Sequence, residues 1–271
     1  MTLREAIKRL DDAGVSSPEY DARAIFKELG EKHGILLLNR DTETDSAAVA
    51  SAIDRRAAGE PLQYILGSVG FYREEYRVSP DCLIPREDTE ILVDYAVKNL
   101  PSGGRFIDLC TGSGCIAIST LNNTENTTAI AVDISSAALK LAEENSRLNR
   151  VSERLTLLEA DLTEGLPLTE GELDAVLSNP PYVSEEEYAE LERELLHEPK
   201  IALSDGSDGS RFYKILVPMA KRLIKQDGFI AMEIGYRQAA LLRSLAEENG
   251  LSCEILTDLS GNDRVAVMKM A

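Results

Sequence analysis

Residues 105–119 read RFIDLCTGSGCIAIS: a short apolar run, a loop with glycines at 112 and 114, and a second apolar run. Glycines so spaced allow a tight turn that brings the backbone close to a ligand at the start of the next helix. Gly112-Ser113-Gly114-Cys115-Ile116-Ala117 fits the dinucleotide pattern GxGxxA. Asp133 lies 19 residues past Gly114, at the end of the apolar run AIAVDI, where a carboxylate could accept both hydroxyls of a ribose. Strand, loop and later acid together point to an adenosine cofactor. On the loop alone, NAD and S-adenosylmethionine fit equally.

Outward from this loop, apolar strand candidates alternate with amphipathic helices. The strands are RFIDLC, AIAVDI, TLLEA, LDAVLSN and GFIAMEI, and the helices between them include SSAALKLAEENSRL and RFYKILVPMAKRLI. A further helix, RQAALLRSLAEEN, precedes two last strand candidates, CEILTD and RVAVMKM, which are separated by the turn-rich LSGND. Such alternation predicts an α/β fold, a mainly parallel sheet covered by helices on both faces, with ligands beyond the carboxyl ends of the strands. The first sixty residues have a different character. Leu3, Ala6, Ile7 and Leu10 share a helical face. Ser16-Ser17-Pro18-Glu19 opens a second helix carrying Ala22, Ile25, Phe26 and Leu29, and a third is expected from about Asp45 to Ala58. Between Pro61 and Pro85, pieces such as FYREEYRVS read as a hairpin. The expected organisation is therefore a helical domain over 1–60, a hairpin linker over 61–84 and an α/β domain over 85–271.

Composition narrows the partners. The net charge is −18, from 29 basic and 47 acidic residues, whereas a stable grip on nucleic acid needs clustered Lys and Arg. The segment EEEYAELERELLHE, Glu185 to Glu198, carries seven glutamates against Arg193 and is expected to form a solvated acidic helix that repels phosphates. MTLREAIKRL lacks the continuous apolar core of a signal peptide, and no segment approaches the roughly 20 apolar residues of a membrane helix. Cys82, Cys110, Cys115 and Cys253 form no CxxC pair, with only His33 and His197 to assist them as metal ligands. Reduced thiols, no metal and a cytoplasmic location are expected.

The strand ends carry the chemistry. Asp108, at the end of the first strand, would face the ammonium and sulfonium of S-adenosylmethionine but would repel a pyrophosphate, which tips the choice of cofactor. Asp161-Leu162, after the third strand, are placed to meet an adenine amino group and ring, although a helix-capping aspartate is an equal reading of position alone. The fourth strand ends in Asn179-Pro180-Pro181-Tyr182. The two prolines fix two φ angles and delete two N–H groups, and Asn179 before them is pushed to an extended conformation. The segment offers the Asn179 side-chain oxygen and the Pro180 carbonyl as acceptors, which suits a planar NH₂ group with two donors, and Tyr182 adds a flat face for stacking. A delocalised amide or aromatic nitrogen is a poor nucleophile, so aiming it at a methyl carbon supplies most of the help. Asn179 is neutral and would orient the acceptor without acting as a base.

At these residues the chain resembles the class I S-adenosylmethionine-dependent methyltransferases, and more narrowly the HemK family of peptide chain release factor glutamine methyltransferases. The resemblance covers nearly the whole length: PLQYILG (61–67), LIPREDTE (83–90), DLCTGSG, AVDIS, SNPPYV, HEPKIALSDGSDG and DLSGNDR. The NPPY tetrapeptide alone is shared with enzymes that methylate adenine or cytosine amino groups, which leaves a nucleic-acid amino-methyltransferase as the alternative. The resemblance implies a seven-stranded, Rossmann-like class I methyltransferase sheet joined through the hairpin to a helical substrate-docking domain. It also implies methyl transfer to the glutamine of a Gly-Gly-Gln loop in release factors 1 and 2. By position, Cys110, Thr111, Gly112, Ser113 and Gly114, with Asp108, Asp133, Asp161, Leu162 and Asn179, would bind the cofactor. Asn179, Pro180, Pro181 and Tyr182 would hold the glutamine. Cys110 stands where the family more usually has a glycine.

Overall fold

The computed structural model describes residues 1–30 and 39–271; His33 lies outside the described residues. The chain divides into two compact units, Met1–Ser68 with Glu192–His197, and Val69–Leu191 with Glu198–Ala271.

The first unit is helical. Helix α1 (Leu3–Asp12) starts at a capping box in which Thr2 Oγ1 accepts from Glu5 N and Glu5 accepts from Thr2 N. Helix α2 (Pro18–Leu29) has its proline in the first turn, and α3 (Ala47–Ala57) is capped by Ser46. Leu3, Ala6 and Leu10 pack with Ala22, Ile25, Phe26, Val49 and Ile53. Residues 61–66, expected in the hairpin linker, instead form α4 (Leu62–Leu66), bracketed by Pro61 and Gly67, and bury Leu62 and Ile65 in this core. Five residues are too few to show a helical period. The buried Arg56 bonds Asp21 at 2.6 Å and Glu194 at 2.9 Å, so the returning segment 192–197 is pinned by charge.

The acidic segment also departs from expectation. Only α8 (Glu185–Ala189) is an exposed acidic helix, capped by Ser184 and Glu187. Glu194 is paired within the first unit, and Glu198 is 3% exposed.

The hairpin is β1 (Ser68–Phe71) and β2 (Glu74–Arg77), and its Phe71 and Tyr76 are buried in the core of the second unit. There follow α5 (Glu90–Asn99), β3 (Arg105–Leu109), α6 (Cys115–Asn122), β4 (Thr128–Asp133), α7 (Ser136–Leu148), β5 (Leu155–Glu159) and β6 (Leu173–Ser178). After α8 come α9 (Lys200–Leu203), α10 (Arg211–Leu223), β7 (Ile224–Glu233), α11 (Ala239–Glu248), β8 (Leu251–Thr257) and β9 (Asp263–Met270). The seven-stranded sheet runs β5-β4-β3-β6-β7-β9-β8, parallel through β7, with β9 antiparallel to both neighbours. Its parallel strands are apolar on both faces because helices cover both, and two buried clusters form the layers. Chain order reverses between β3 and β6, and the crevice beyond their carboxyl ends is where this topology places ligands.

Candidate active site

A cavity of about 980 Å³, including the part open to solvent, lies there, within the second unit. Of the residues singled out from sequence, Cys110, Thr111, Gly112, Ser113, Asp133, Asp161, Leu162, Asn179 and Pro181 line it. Asp108, Gly114, Pro180 and Tyr182 stand behind the lining.

The glycine loop owes its shape to three consecutive alternate residues with positive φ: Cys110 (60°), Gly112 (54°) and Gly114 (81°). A Cβ on Gly114 would sit 2.9 Å from Ile118 Cδ1 and 3.2 Å from Ala142 Cβ, so this glycine lets α6 approach α7. Gly112 N donates to Asp133 Oδ2 at 2.8 Å and Ser135 N to Oδ1 at 2.9 Å. Each carboxylate oxygen of Asp133 keeps a further lone pair for a ribose hydroxyl. Burial raises its pKa against these bonds. Asp108 is fully buried; Thr111 Oγ1 (2.6 Å) and Ala117 N (3.3 Å) donate to its Oδ2, while Oδ1 has no partner. Desolvation pushes its carboxyl up to about 7. Asp161 is exposed and accepts from Thr163 N and Oγ1, bonds that lower its pKa.

At the other end, Ser178 Oγ donates to Leu109 O at 2.7 Å, joining the ends of β6 and β3. Asn179 Nδ2 donates to Thr89 Oγ1 at 3.4 Å, and Thr89 Oγ1 donates to Glu233 Oε2 at 2.5 Å. The sequence suggests that Tyr182 stacks on the acceptor. Its ring instead packs against the core, and its hydroxyl donates to Glu233 Oε1 at 3.1 Å. Burial, then the neighbouring Glu233, raises the Tyr182 pKa; burial raises that of Glu233, opposed by the two hydroxyls. The Tyr182 carbonyl accepts from Gln238 Nε2 at 3.1 Å.

Several residues of the site escaped the sequence reading. Thr89 lies within LIPREDTE, but nothing in the motif says which atom it meets. Glu233 interrupts the apolar strand IAME, a carboxylate where a core residue belongs, and that was a usable signal. Asn145 Nδ2 donates to Ser113 O at 2.9 Å and to Arg77 O at 3.1 Å, bracing the loop from behind. Glu198 accepts from Ile84 N at 2.9 Å and from Arg86, clasping the strip 82–86 to the strip 198–202 along the outer wall.

The lining suits a positively charged nucleoside better than a pyrophosphate. It offers Asp133 and Asp161 with apolar Ile134 and Leu162, whereas Asp108, which the sequence sets against the ammonium and sulfonium of the cofactor, is wholly buried and does not line the cavity. Its one cation among the described residues, Arg86, is already paired with Glu198. A dinucleotide would set its phosphates among carboxylates; the balance left open by the loop alone falls to S-adenosylmethionine. Among the described residues, no group of three or more His, Cys, Asp or Glu is placed to hold a metal, and no helix is long and apolar enough to cross a membrane.

Comparison with known proteins agrees with this geometry. Residues 87–210 match the methyltransferase small domain, and residues 2–67 match the PrmC N-terminal domain. The release factor glutamine methyltransferase of Nitratidesulfovibrio vulgaris is 37% identical over 97% of this chain and 92% of its own length. That of Moorella thermoacetica is 38% identical over 97% of both. Among solved structures, a ribosomal protein L11 methylase from Lactobacillus delbrueckii subsp. bulgaricus superposes with a TM-score of 0.52, covering 72% of this chain and 84% of that one. At 19% identity this last likeness speaks for the fold alone.

Proposed function

We propose that this chain, which belongs to the release factor glutamine methyltransferase family, transfers a methyl group from S-adenosylmethionine to a glutamine side-chain amide in a peptide chain release factor. The acceptor is the glutamine of the Gly-Gly-Gln loop, and release factors 1 and 2 are the expected substrates. The observation that carries this reading is the pose of Asn179. Its Nδ2 is engaged by Thr89, so its Oδ1 remains to receive an N–H on the cavity side.

When bound, the cofactor supplies a methyl carbon made electrophilic by its sulfonium. Asp133 would hold the ribose, Asp161 and Leu162 the adenine, and the loop from Cys110 to Gly114, backed by the buried Asp108, the methionine end. Asn179 accepts one N–H of the acceptor amide, and the rigid Pro180-Pro181 segment keeps that oxygen in place. With the Pro180 carbonyl as acceptor of the second N–H, the direction of the nitrogen is fixed, and positioning is the main source of rate for so weak a nucleophile. The charge of −18 disfavours a polyanionic substrate, and a loop flanked by glycines enters a narrow site without side chains in its way. We assign docking of the release factor body to the N-terminal helices. Reduced thiols at Cys110, Cys115 and Cys253 suit a cytoplasmic enzyme.

The test offers labelled S-adenosylmethionine to the enzyme with release factor and, in parallel, with DNA, then maps the label by mass spectrometry. Label on the glutamine, absent when that glutamine is changed to alanine, is the expected result. Label that persists in the altered release factor, or appears only on DNA, overturns the assignment.

A further inference from the structure

We propose that Thr89 and Glu233 are positioning residues that lock the Asn179 side chain with its oxygen toward the acceptor amide, an inference that rests on the function proposed above. An asparagine amide offers two donors on one side and acceptors on the other, and the two sides are nearly the same shape. Packing alone therefore cannot choose between them. Only the direction of hydrogen bonds can, and this site supplies a direction.

The chain of hydrogen bonds is anchored at Glu233, its final acceptor. This carboxylate is 3% exposed and accepts from two hydroxyls: Thr89 at 2.5 Å on Oε2 and Tyr182 at 3.1 Å on Oε1. A threonine hydroxyl has a single proton, and here it points at Glu233. Toward Asn179, Thr89 Oγ1 has only lone pairs to offer, so the amide must present an N–H to it. The 3.4 Å contact from Asn179 Nδ2 is that bond. Every proton along Asn179, Thr89 and Glu233 runs the same way, and Asn179 Oδ1 is left for the substrate. An N–H facing an incoming NH₂ group would set donor against donor.

These residues are 90 and 144 positions apart in the two bonds they share, so the arrangement belongs to the folded site. Thr89, 2% exposed, is part of the cavity lining, and Glu233, 3% exposed, lies behind it; a carboxylate placed there without a charged partner needs its two hydroxyl donors. That cost is explained if its purpose is to hold a proton direction.

The test replaces the hydroxyl. Thr89→Val removes the relay at constant shape, and kcat for release factor should fall about 100-fold, the order expected for a misaimed reacting group. The KM for release factor and the cofactor affinity by calorimetry should stay within a few-fold, and the latter reports that the site is folded. Thr89→Ser restores the hydroxyl and should recover kcat to within a few-fold. In an Asn179→Ala background, Thr89→Val should cost almost nothing more, because its effect passes through the missing amide. If Thr89→Val does not fold, Thr89→Ala is measured in the same way. Unchanged kcat in the variant, equal losses in Thr89→Val and Thr89→Ser, or additive losses with Asn179→Ala each overturn the inference. Failure of the unaltered enzyme to methylate release factor would instead overturn the proposed function.

Discussion

At the glycine-loop end of the cavity, backbone does most of the holding. Three positive φ angles shape the loop, and Gly112 N meets Asp133 directly. At the Asn179 end, side chains from three separate segments hold one another: Thr89 before α5, Asn179 after β6 and Glu233 at the end of β7. A ligand recognised by shape and charge can be met by a preformed loop. An amide that must be aimed needs a side chain whose own donor and acceptor sides are settled. Damage to the two ends should accordingly appear in different constants.

The largest effect is expected from Asn179→Ala. Loss of the orienting oxygen should lower kcat by about 10²- to 10³-fold, the range seen when one preorganised polar group is removed from a reacting centre. Cofactor affinity should remain within a few-fold. Single-turnover rates decide it, and a near-normal rate would show that the acceptor is aimed by something else.

Asp133→Ala tests the opposite end and should reverse the pattern. Two charge-assisted bonds to the ribose are worth at most about 1.5–3 kcal/mol each. Part of that will be offset by relaxation of the loop once Gly112 N and Ser135 N lose their acceptor. A loss of roughly 100-fold in cofactor affinity by calorimetry, about 2.7 kcal/mol, is the expected outcome. An unchanged affinity in a folded variant would remove Asp133 from the cofactor site.

The difference between the two ends also governs how much of each is legible in the sequence. The cofactor end was legible because its parts are contiguous: strand, glycines and helix within residues 105–119, with one acid at a fixed interval. The parallel sheet was legible for the same reason, as its apolar runs are short and regularly spaced. Asn179-Pro180-Pro181-Tyr182 announced an acceptor site, yet its support did not show, because Thr89 and Glu233 meet Asn179 only through the sheet topology. Tyr182 illustrates the limit. Its ring suggested stacking, but the hydroxyl finds Glu233 and turns the residue inward. The helix α4 and the burial of Glu198 were missed for related reasons: five residues carry no period, and the partners of Glu198 are more than 100 residues away.

A smaller effect concerns Asp108, the buried acid behind the loop. Its folded pKa of about 7 lies above the ordinary 3.8, so the protonated form favours folding. Its contribution is full below about pH 4 and is lost as pH rises through about 7. Raising the pH of the cofactor-free protein from about 6 to about 8 should therefore cost about 1.4 kcal/mol through this group. Asp108→Asn removes that dependence, so the stability difference between variant and native protein should shift in favour of the variant by that amount at the higher pH. Denaturant unfolding at both pH values checks the sign. A shift toward the native protein would mean that Asp108 is ionised and paired in the folded state.

The smallest effect is the one that best isolates backbone from side chain. Cys110 sits at φ 60°, and a left-handed conformation costs a residue with a Cβ about 1–2 kcal/mol. Cys110→Gly relieves that strain. It also frees the unfolded chain, worth about 0.5–1 kcal/mol against folding, and gives up the packing of the thiol side chain against the core. These terms nearly cancel, so the stability of Cys110→Gly should lie within about 1 kcal/mol of the native protein. Cys110→Ala keeps the strained Cβ and loses the sulfur, with nothing to offset the loss. Alanine should thus come out below glycine by about 1 kcal/mol, the reverse of the order found at ordinary helix and strand positions. Thermal or denaturant unfolding of the pair measures it. If alanine proves the more stable of the two, the loop is not strained at Cys110, and the view that this end of the cavity is held by backbone geometry loses its main support.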